Sequence, residues 1–440
     1  MSYRRLAWRV AWLGVIAAVI GGIAIYISDS SAGAKIAPVV DVSPALVGRG
    51  EYLAKLGDCA ACHSAPGRAP FAGGYRMMTP IGAIYSTNIT PDATYGIGGF
   101  SLADFDRALR FGVSRGHTLY PAMPFVSYAN TKPEDVEALY AFFQKGVPAA
   151  AVPNVKTEIP FPLSMRWPLT VWRWLWAPRA VPFPDEGLDP QVARGAYFVE
   201  GLGHCGECHT PRGLAMELKA RSPAEGGAFL SGAVIENWYA PSLRSGGKGT
   251  LESWSETDVE QFLTAGVNRQ GAVFGSMSDV IVHSSQYLTP EDARATARYL
   301  KSIKDTSATT DFTYDSSTDR SLSAGDATQR GAMTYMDNCA ACHRPDGRGY
   351  EGVFPSLAGN PAVEASNATS VVSIVLGGSS TPRTPRTPAQ FAMPAFGWRL
   401  SDQEVADVAT FVRSGWGNRA PSVDEAQVRD LRLQAGTLAH

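Results

Sequence analysis

All six cysteines of this chain of 440 residues lie in three copies of one short pattern, in which two cysteines flank two other residues and a histidine follows directly. This C-x-x-C-H pattern is the covalent attachment signature of haem c. Its thiols can add to the two vinyl groups of one haem while the histidine approaches the iron. A zinc half-site or a thioredoxin-like redox pair is the alternative for a single C-x-x-C, but three tandem C-x-x-C-H copies favour haem. We therefore expect three covalently bound haem c groups, held by Cys59, Cys62, His63, Cys205, Cys208, His209, Cys339, Cys342 and His343.

A methionine opposite the histidine raises the potential of a haem and closes its iron to small ligands, as electron transfer requires. Met123 and Met393 each precede a proline that stiffens the loop. Met277 has the same place in the order of predicted elements. These three methionines are the predicted sixth ligands, with His117 and His283 as alternatives in the first two copies. The ordinary alternatives are a methionine packed in the core and a histidine exposed on a loop.

The three motifs belong to a longer repeat. Each copy begins with an arginine and a glycine in an amphipathic stretch; the pairs are Arg49-Gly50, Arg194-Gly195 and Arg330-Gly331. After the motif come a loop rich in glycine and proline, a helix, a loop with methionine and a final helix with apolar residues at helical spacing. Ser101 and Ser255 are the predicted N-caps of the middle helices in the first two copies. Since no strong alternating strand pattern interrupts this order, the predicted fold class is all-α.

The N-terminus predicts a membrane anchor. Three arginines within the first nine residues precede an uncharged run at residues 10–27. As a helix, this run would be about 27 Å long, close to the thickness of the bilayer hydrocarbon, and the arginines would keep the N-terminus in the cytoplasm. We expect the rest of the chain at the periplasmic side of the inner membrane of a Gram-negative cell. A signal peptide cleaved near Ala32-Gly33-Ala34 is the alternative.

Together these patterns predict three tandem domains, each resembling the class I cytochrome c fold, after an N-terminal transmembrane helix. The predicted segments are an anchor or signal at 1–36, cytochrome c domains at 44–148, 190–304 and 327–418, an aromatic-rich linker at 149–189, a polar linker at 305–326 and a C-terminal tail at 419–440.

Longer stretches around the motifs resemble a known family, at residues 80–92, 120–124, 164–169, 208–213 and 414–418. They are similar to the triheme cytochrome c subunits of membrane-bound periplasmic dehydrogenases of acetic acid bacteria. The alcohol dehydrogenase type is the most similar, and gluconate, fructose, sorbitol and aldehyde dehydrogenase complexes have similar subunits. The resemblance implies a catalytic partner of the quinoprotein, flavoprotein or molybdenum type, with or without a small subunit, and ubiquinone as acceptor. It also implies that Met123, Met277 and Met393 are the axial ligands.

The charge balance argues against a nucleic-acid partner, because 39 basic and 41 acidic residues leave no basic excess. The predicted function is electron transfer from a catalytic subunit, which oxidises an alcohol, aldehyde, sugar or sugar acid, to ubiquinone. A periplasmic multihaem carrier that delivers to a terminal oxidase without a quinone site is the alternative. A haem peroxidase would need an open iron site, and three methionine candidates argue against it. We expect no activity toward the organic substrate from this chain alone.

Overall fold

The computed structural model describes residues 21–22, 42–177, 180, 183–184, 187–246, 251–305 and 312–438. The chain divides into two compact units. The first comprises Met1–Ala54 and Cys59–Pro184, and the second comprises Lys55–Asp58 and Asp185–His440.

Among the described residues up to Trp176 there are six helices and two hairpins. The helices are α1 Pro44–Leu56, α2 Cys59–His63, α3 Leu102–Phe111, α4 Phe125–Tyr128, α5 Pro133–Ala141 and α6 Trp167–Trp176, and a π-helical turn, Phe142–Gly146, continues α5. The strands are β1 Arg76–Thr79, β2 Gly82–Tyr85, β3 Val113–Ser114 and β4 His117–Thr118. As predicted, Ser101 caps α3; it forms a capping box with Asp104.

The elements from Pro190 onward include twelve helices. They are α7 Pro190–Ala196, α8 Gly206–His209, α9 Glu256–Ala265, α10 Met277–His283, α11 Pro290–Ser302, α12 Ser317–Ser323, α13 Ala332–Asn338, α14 Ala340–His343, α15 Pro361–Glu364, α16 Thr369–Gly377, α17 Asp402–Ser414 and α18 Glu425–Leu438. A π-helical turn, Tyr197–Leu202, follows α7, and the 3₁₀ turns are Pro223–Glu225 and Ser285–Tyr287. The strands are β5 Ala233–Ile235, β6 Trp238–Ala240, β7 Ser379–Ser380 and β8 Ala392–Met393. Ser255 caps α9 as predicted, in a capping box with Asp258.

The prediction of an all-α fold is wrong, because four two-stranded antiparallel hairpins accompany the helices in the described part of the chain. The longest of them pairs Arg76 with Tyr85 and Thr79 with Gly82, and the turn between its strands contains Pro80. The other hairpins have strands of two or three residues. Strands this short cannot establish the alternation of apolar and polar residues by which a strand is recognised in a sequence.

The arginine–glycine pair of each copy marks a close crossing of the first and last helices. A Cβ atom on Gly50 would lie 1.9 Å from the carbonyl oxygen of Ala138, and one on Gly195 would lie 2.0 Å from that of Ala295. In the third copy, a Cβ on Gly331 would lie 2.3 Å from the oxygen of Asp407. The two helices can therefore approach this closely only because glycine has no side chain.

An ion pair joins the same two helices beside each crossing. Arg49 Nη2 lies 2.5 Å from Asp135 Oδ1, and Arg330 Nε lies 2.8 Å from Asp407 Oδ1. The second copy has two bonds, from Arg194 Nε and Nη2 to the two carboxylate oxygens of Asp292, at 2.6 and 2.9 Å. The same helix pair is therefore built three times along the chain, from residues that are far apart in sequence.

Within the second unit, hydrogen bonds join the second and third copies. The Ser370 hydroxyl, on α16, donates to the Tyr239 carbonyl oxygen at 2.9 Å and accepts from the Tyr239 amide at 2.8 Å. Ser373 donates to the Asn237 carbonyl oxygen at 2.9 Å. These bonds fix α16 to the hairpin of β5 and β6.

The predicted N-terminal transmembrane helix is corrected by the structure. Among the described residues, no helix has the length and apolar character needed to cross a bilayer. The longest of them, α18, has 14 residues, so it is about 21 Å long, against about 30 Å of bilayer hydrocarbon. The predicted span at residues 10–27 lies outside the described residues except for Gly21 and Gly22. The inner-membrane location of the chain depended on this anchor, so that prediction is withdrawn with it.

Candidate haem sites

Each C-x-x-C-H motif folds as a short helical turn. The first motif is α2 itself, and α8 and α14 begin directly after Cys205 and Cys339. In the last two motifs the histidine amide donates to the carbonyl oxygen of the first cysteine, at 3.0 and 2.9 Å. One helical turn therefore brings both thiols and the imidazole to one side of the backbone, as attachment to a single haem requires.

Each of the three motif histidines makes the same type of hydrogen bond, which fixes the orientation of its ring. Nδ1 of His63 lies 2.6 Å from the Thr87 carbonyl oxygen. The equivalent contacts are His209 to Pro241 at 2.7 Å and His343 to Pro355 at 3.0 Å; the acceptor is again the carbonyl oxygen. Since a carbonyl oxygen can only accept, Nδ1 carries the hydrogen, and Nε2 is the nitrogen with a lone pair for iron.

Sequence reasoning missed these three carbonyl groups. They lie 24, 32 and 12 residues after their histidines, so no fixed spacing points to them. The sequence contains a weaker signal for two of these carbonyl groups, because the tripeptide Pro-Ser-Leu occurs at both Pro241 and Pro355. The contacts act as outer partners that orient a metal-binding imidazole.

Burial sets the protonation of the motif side chains. It lowers the pKa of His63, His209 and His343, while the bonds to the backbone oppose that shift. Neutral imidazole is the form that binds a metal. Burial also raises the pKa of the Cys205 and Cys339 thiols to about 12. These cysteines are therefore present as thiols, the form that adds across a vinyl group.

The predicted methionine ligands lie in three different local structures. Met123 follows a turn in which its amide donates to the Tyr120 carbonyl oxygen at 3.1 Å, and Met277 is the first residue of α10. Met393 lies in β8 opposite Ser379 and packs against the apolar core that Cys339 also contacts. The structure thus brings Met393 and the third motif to one core. The assignment of all three as iron ligands stays a prediction.

The two alternative histidine ligands differ in exposure. His117 is exposed, in β4 opposite Ser114. His283 is half-buried, at the end of α10. Both stay the alternative ligands of the first two copies.

The donor set fits haem c. Paired thiols and an oriented imidazole occur together at each motif, which matches the attachment and the ligand that haem c needs. Among the described side chains, Trp254 Nε1 and Arg110 Nη2 are buried donor atoms with no hydrogen-bond partner. Such donors suit a group that carries carboxylates, as haem does through its two propionates.

Comparisons with known proteins agree with this chemistry. The cytochrome c family model matches residues 328–416. The gluconate 2-dehydrogenase cytochrome c subunit of Pantoea cypripedii is 50% identical over 404 residues, which cover 90% of this chain and 91% of that protein. The cytochrome c subunit of alcohol dehydrogenase (quinone) from Gluconacetobacter polyoxogenes is 49% identical over 91% of this chain and 87% of its own length. The fructose dehydrogenase cytochrome subunit of Gluconobacter japonicus is 37% identical, with 88% and 82% covered.

The motif geometry and the family match define a c-type cytochrome, with covalently bound haem c. At this identity and coverage, the chain belongs to the family of cytochrome c subunits that serve gluconate and quinone alcohol dehydrogenases. The resemblance found in the sequence is thereby confirmed. As a member of this family, the chain is a cytochrome c electron-transfer subunit of a dehydrogenase complex.

Proposed function

We propose that the chain carries three haem c groups and passes electrons from its catalytic partner to ubiquinone. The observation that supports three haems is the repeated bond from histidine Nδ1 to a backbone carbonyl oxygen, at 2.6, 2.7 and 3.0 Å beside each pair of cysteines. The proposed iron ligands are the motif histidines and the three methionines named above. With haem bound, Met123, Met277 and Met393 would close the iron to small ligands, as electron transfer requires.

Ubiquinone as the acceptor rests on the relatives. The alcohol dehydrogenases with similar subunits are named as quinone enzymes. The oxidation of an alcohol, aldehyde, sugar or sugar acid releases two electrons together, whereas a haem carries one. Bound haem supplies this one-electron chemistry. The partner's substrate and cofactor are proposed only as these classes and as the quinoprotein, flavoprotein or molybdenum type.

The chain's own residues hold the redox centres in place. The helical turn of each motif sets the position of the thiols, and the carbonyl oxygens of Thr87, Pro241 and Pro355 orient the imidazoles. Within the second unit, the bonds from Ser370 and Ser373 to the backbone of β6 and the adjacent turn join the second copy to the third. Fixed separations between centres favour fast transfer, because little reorganisation is then needed.

The number of haems is tested by intact mass and haem staining of the full chain. We expect three haem additions. The double variant Cys205→Ala/Cys208→Ala should lose one addition and keep the other two, and the matched variant Cys339→Ala/Cys342→Ala should do the same. A wild-type mass with fewer than three additions would contradict the proposal.

The acceptor is tested with the chemically reduced chain in detergent. We expect reoxidation by a short-chain ubiquinone analogue, and haem reduction by substrate only after the catalytic subunit is added. Slow reoxidation by the quinone, together with rapid transfer to a soluble cytochrome or oxidase, would instead support the carrier without a quinone site. Reduction of the chain by substrate in the absence of the partner would refute the division of roles.

A further inference from the structure

The second copy contains a buried acid that the haem chemistry described above does not use. Glu200 lies in the π-helical turn that follows α7, and it accepts a hydrogen bond from the Tyr299 hydroxyl on α11. Tyr299 is 5% exposed, and Glu200 is only partly exposed. The two side chains meet where α7 and α11 cross, since a Cβ on Gly195 would also lie 2.7 Å from the Tyr299 Cβ.

The other two copies have different chemistry at these positions. At their helix crossings, the residues that take the place of Tyr299 are Phe142 and Phe411. Counted from the crossing glycine, the residues that correspond to Glu200 are Lys55 and Met336. Only the second copy therefore combines a carboxyl and a hydroxyl group at this place.

The segment from the crossing to the motif is also longer in the second copy than in the first. Cys59 follows Gly50 by nine positions, whereas Cys205 follows Gly195 by ten. The π-helical turn Tyr197–Leu202 accommodates the additional residue and contains Glu200. Single π-helical turns of this kind are frequent at functional sites.

The pair lies beside the second haem attachment. Glu200 precedes Cys205 by five positions, and the π-helical turn that contains it runs directly into the motif, since the His204 amide donates to the Gly201 carbonyl oxygen at 2.9 Å. A change of one charge at this haem therefore acts on the carboxyl group through a medium in which solvent screens little.

Burial raises the pKa of Glu200 to about 7, and the nearby charge of Glu225 raises it as well, while the hydrogen bond from Tyr299 opposes the shift. The pKa of the Tyr299 hydroxyl is raised, first by burial and then by the charge of Glu200, so the phenol stays protonated. Other charged groups lie on the elements packed against the pair, and most of them are themselves paired. Glu225 pairs with Arg221, Asp292 with Arg194 and Asp258 with Arg269, and Glu256 lies near Arg298. Arg244 is a further cation there.

We propose that Glu200 and Tyr299 form a proton-binding site that is coupled to the oxidation state of the haem at Cys205 and Cys208. One electron from the catalytic dehydrogenase subunit reduces the ferric haem to the ferrous state, and one proton from water binds the Glu200 carboxylate. Reoxidation by the next acceptor removes the electron, and the proton returns to water. This inference rests on the proposed attachment of a haem at the second motif.

The sign follows from charge. Reduction removes one positive charge from the haem, so the carboxyl group binds its proton more tightly in the reduced state. The reduction potential of this haem is therefore higher at low pH, where Glu200 is neutral, and lower at high pH, where its negative charge opposes the electron. Glu200 has a lower pKa when this haem is oxidised and a higher one when it is reduced. Between these two pKa values, the equilibrium constant for reduction falls by up to about tenfold per pH unit, which is about 59 mV for one electron.

The test is a spectroelectrochemical titration of the full haem-loaded chain from about pH 5 to about pH 9. We expect one of three components to fall with pH, and the component to disappear in Cys205→Ala/Cys208→Ala. In Glu200→Gln this component should keep the low-pH potential throughout. The control Glu291→Gln removes an exposed carboxylate from α11 and should leave the pH dependence unchanged.

A second variant keeps the test decisive if Glu200→Gln loads haem poorly. Tyr299→Phe copies the residue of the other two copies and removes the bond that lowers the pKa of Glu200, so the pH-dependent range should move upward. In the wild type, infrared difference spectra of the reduced minus the oxidised chain should show a carboxylic acid band. An unchanged pH dependence in both variants, with three haems present by mass, would overturn this inference alone. A wild-type mass without the second haem would overturn the proposed function instead.

Discussion

Replacing Gly50 by alanine tests the helix crossing directly, because the added Cβ would lie 1.9 Å from the Ala138 carbonyl oxygen and 2.7 Å from the Phe142 Cβ. Real Cβ atoms essentially never come within 3.0 Å of such an atom. Since the obstacle is backbone and not the end of a flexible side chain, α1 and α5 must move apart. The ion pair between Arg49 and Asp135 would be disturbed at the same time.

The expected change in the free energy of unfolding comes from two opposing effects. Alanine in the interior of a helix is favoured over glycine by about 1 kcal/mol. Overpacking a close contact costs about 1–3 kcal/mol, and a clash with backbone belongs at the upper end. The net effect is destabilisation of the first unit by about 2 kcal/mol, which lowers Tm by roughly 4–8 °C for a unit of this size.

Gly48→Ala is the matched control, because Gly48 lies in the same helix and a Cβ there meets no atom of the described chain within 4 Å. It should gain about 1 kcal/mol and raise Tm by roughly 2–4 °C. Thermal unfolding of the haem-loaded chain, with hydrogen exchange of peptides from α1, measures both variants. If Gly50→Ala stabilises the chain as much as Gly48→Ala does, the reasoning about the crossing is wrong.

Three further predictions concern the ligands and the ion pairs. The first three variants are Met123→Ala, Met277→Ala and Met393→Ala. Each should lower the reduction potential of one haem and let carbon monoxide bind its iron, which a difference spectrum detects. A methionine whose replacement leaves the spectrum unchanged is not a ligand. The Arg269 guanidinium lowers the pKa of Asp258 from 3.8 to about 2. Stability from this pair is therefore complete above about pH 4 and lost as the pH falls toward about 2; in Arg269→Ala, Tm measured against pH should lose this acid-dependent part, and an identical profile would argue against the pair. Arg194→Ala leaves the Asp292 carboxylate without its two bonds and should cost about 1 kcal/mol in denaturant unfolding, whereas no loss would show that the exposed arginine contributes nothing.

Local features were predicted from the sequence more reliably than distant ones. Ser101 and Ser255 were predicted as N-caps because a serine before a helix satisfies backbone donors within one turn, and the structure adds the acid that completes each capping box. The hairpins were missed because strands of two to four residues contain too few positions for a pattern. The membrane helix was predicted from an uncharged run and the arginines before it, and no helix among the described residues is long and apolar enough to cross a bilayer.

The sequence by itself determined the attachment chemistry, because both thiols and the imidazole of one haem must come from a single helical turn, and adjacent residues such as Cys208 and His209 specify that turn. Tertiary structure decided which groups complete each site. The carbonyl oxygen of Pro241 reaches His209 across 32 residues, and the Tyr299 hydroxyl reaches Glu200 across 99. The first contact exists because the β5–β6 hairpin packs against α8, and the second because α7 and α11 pack at the Gly195 crossing. The energy of such packing depends on the shape of the whole fold and not on the spacing of neighbours.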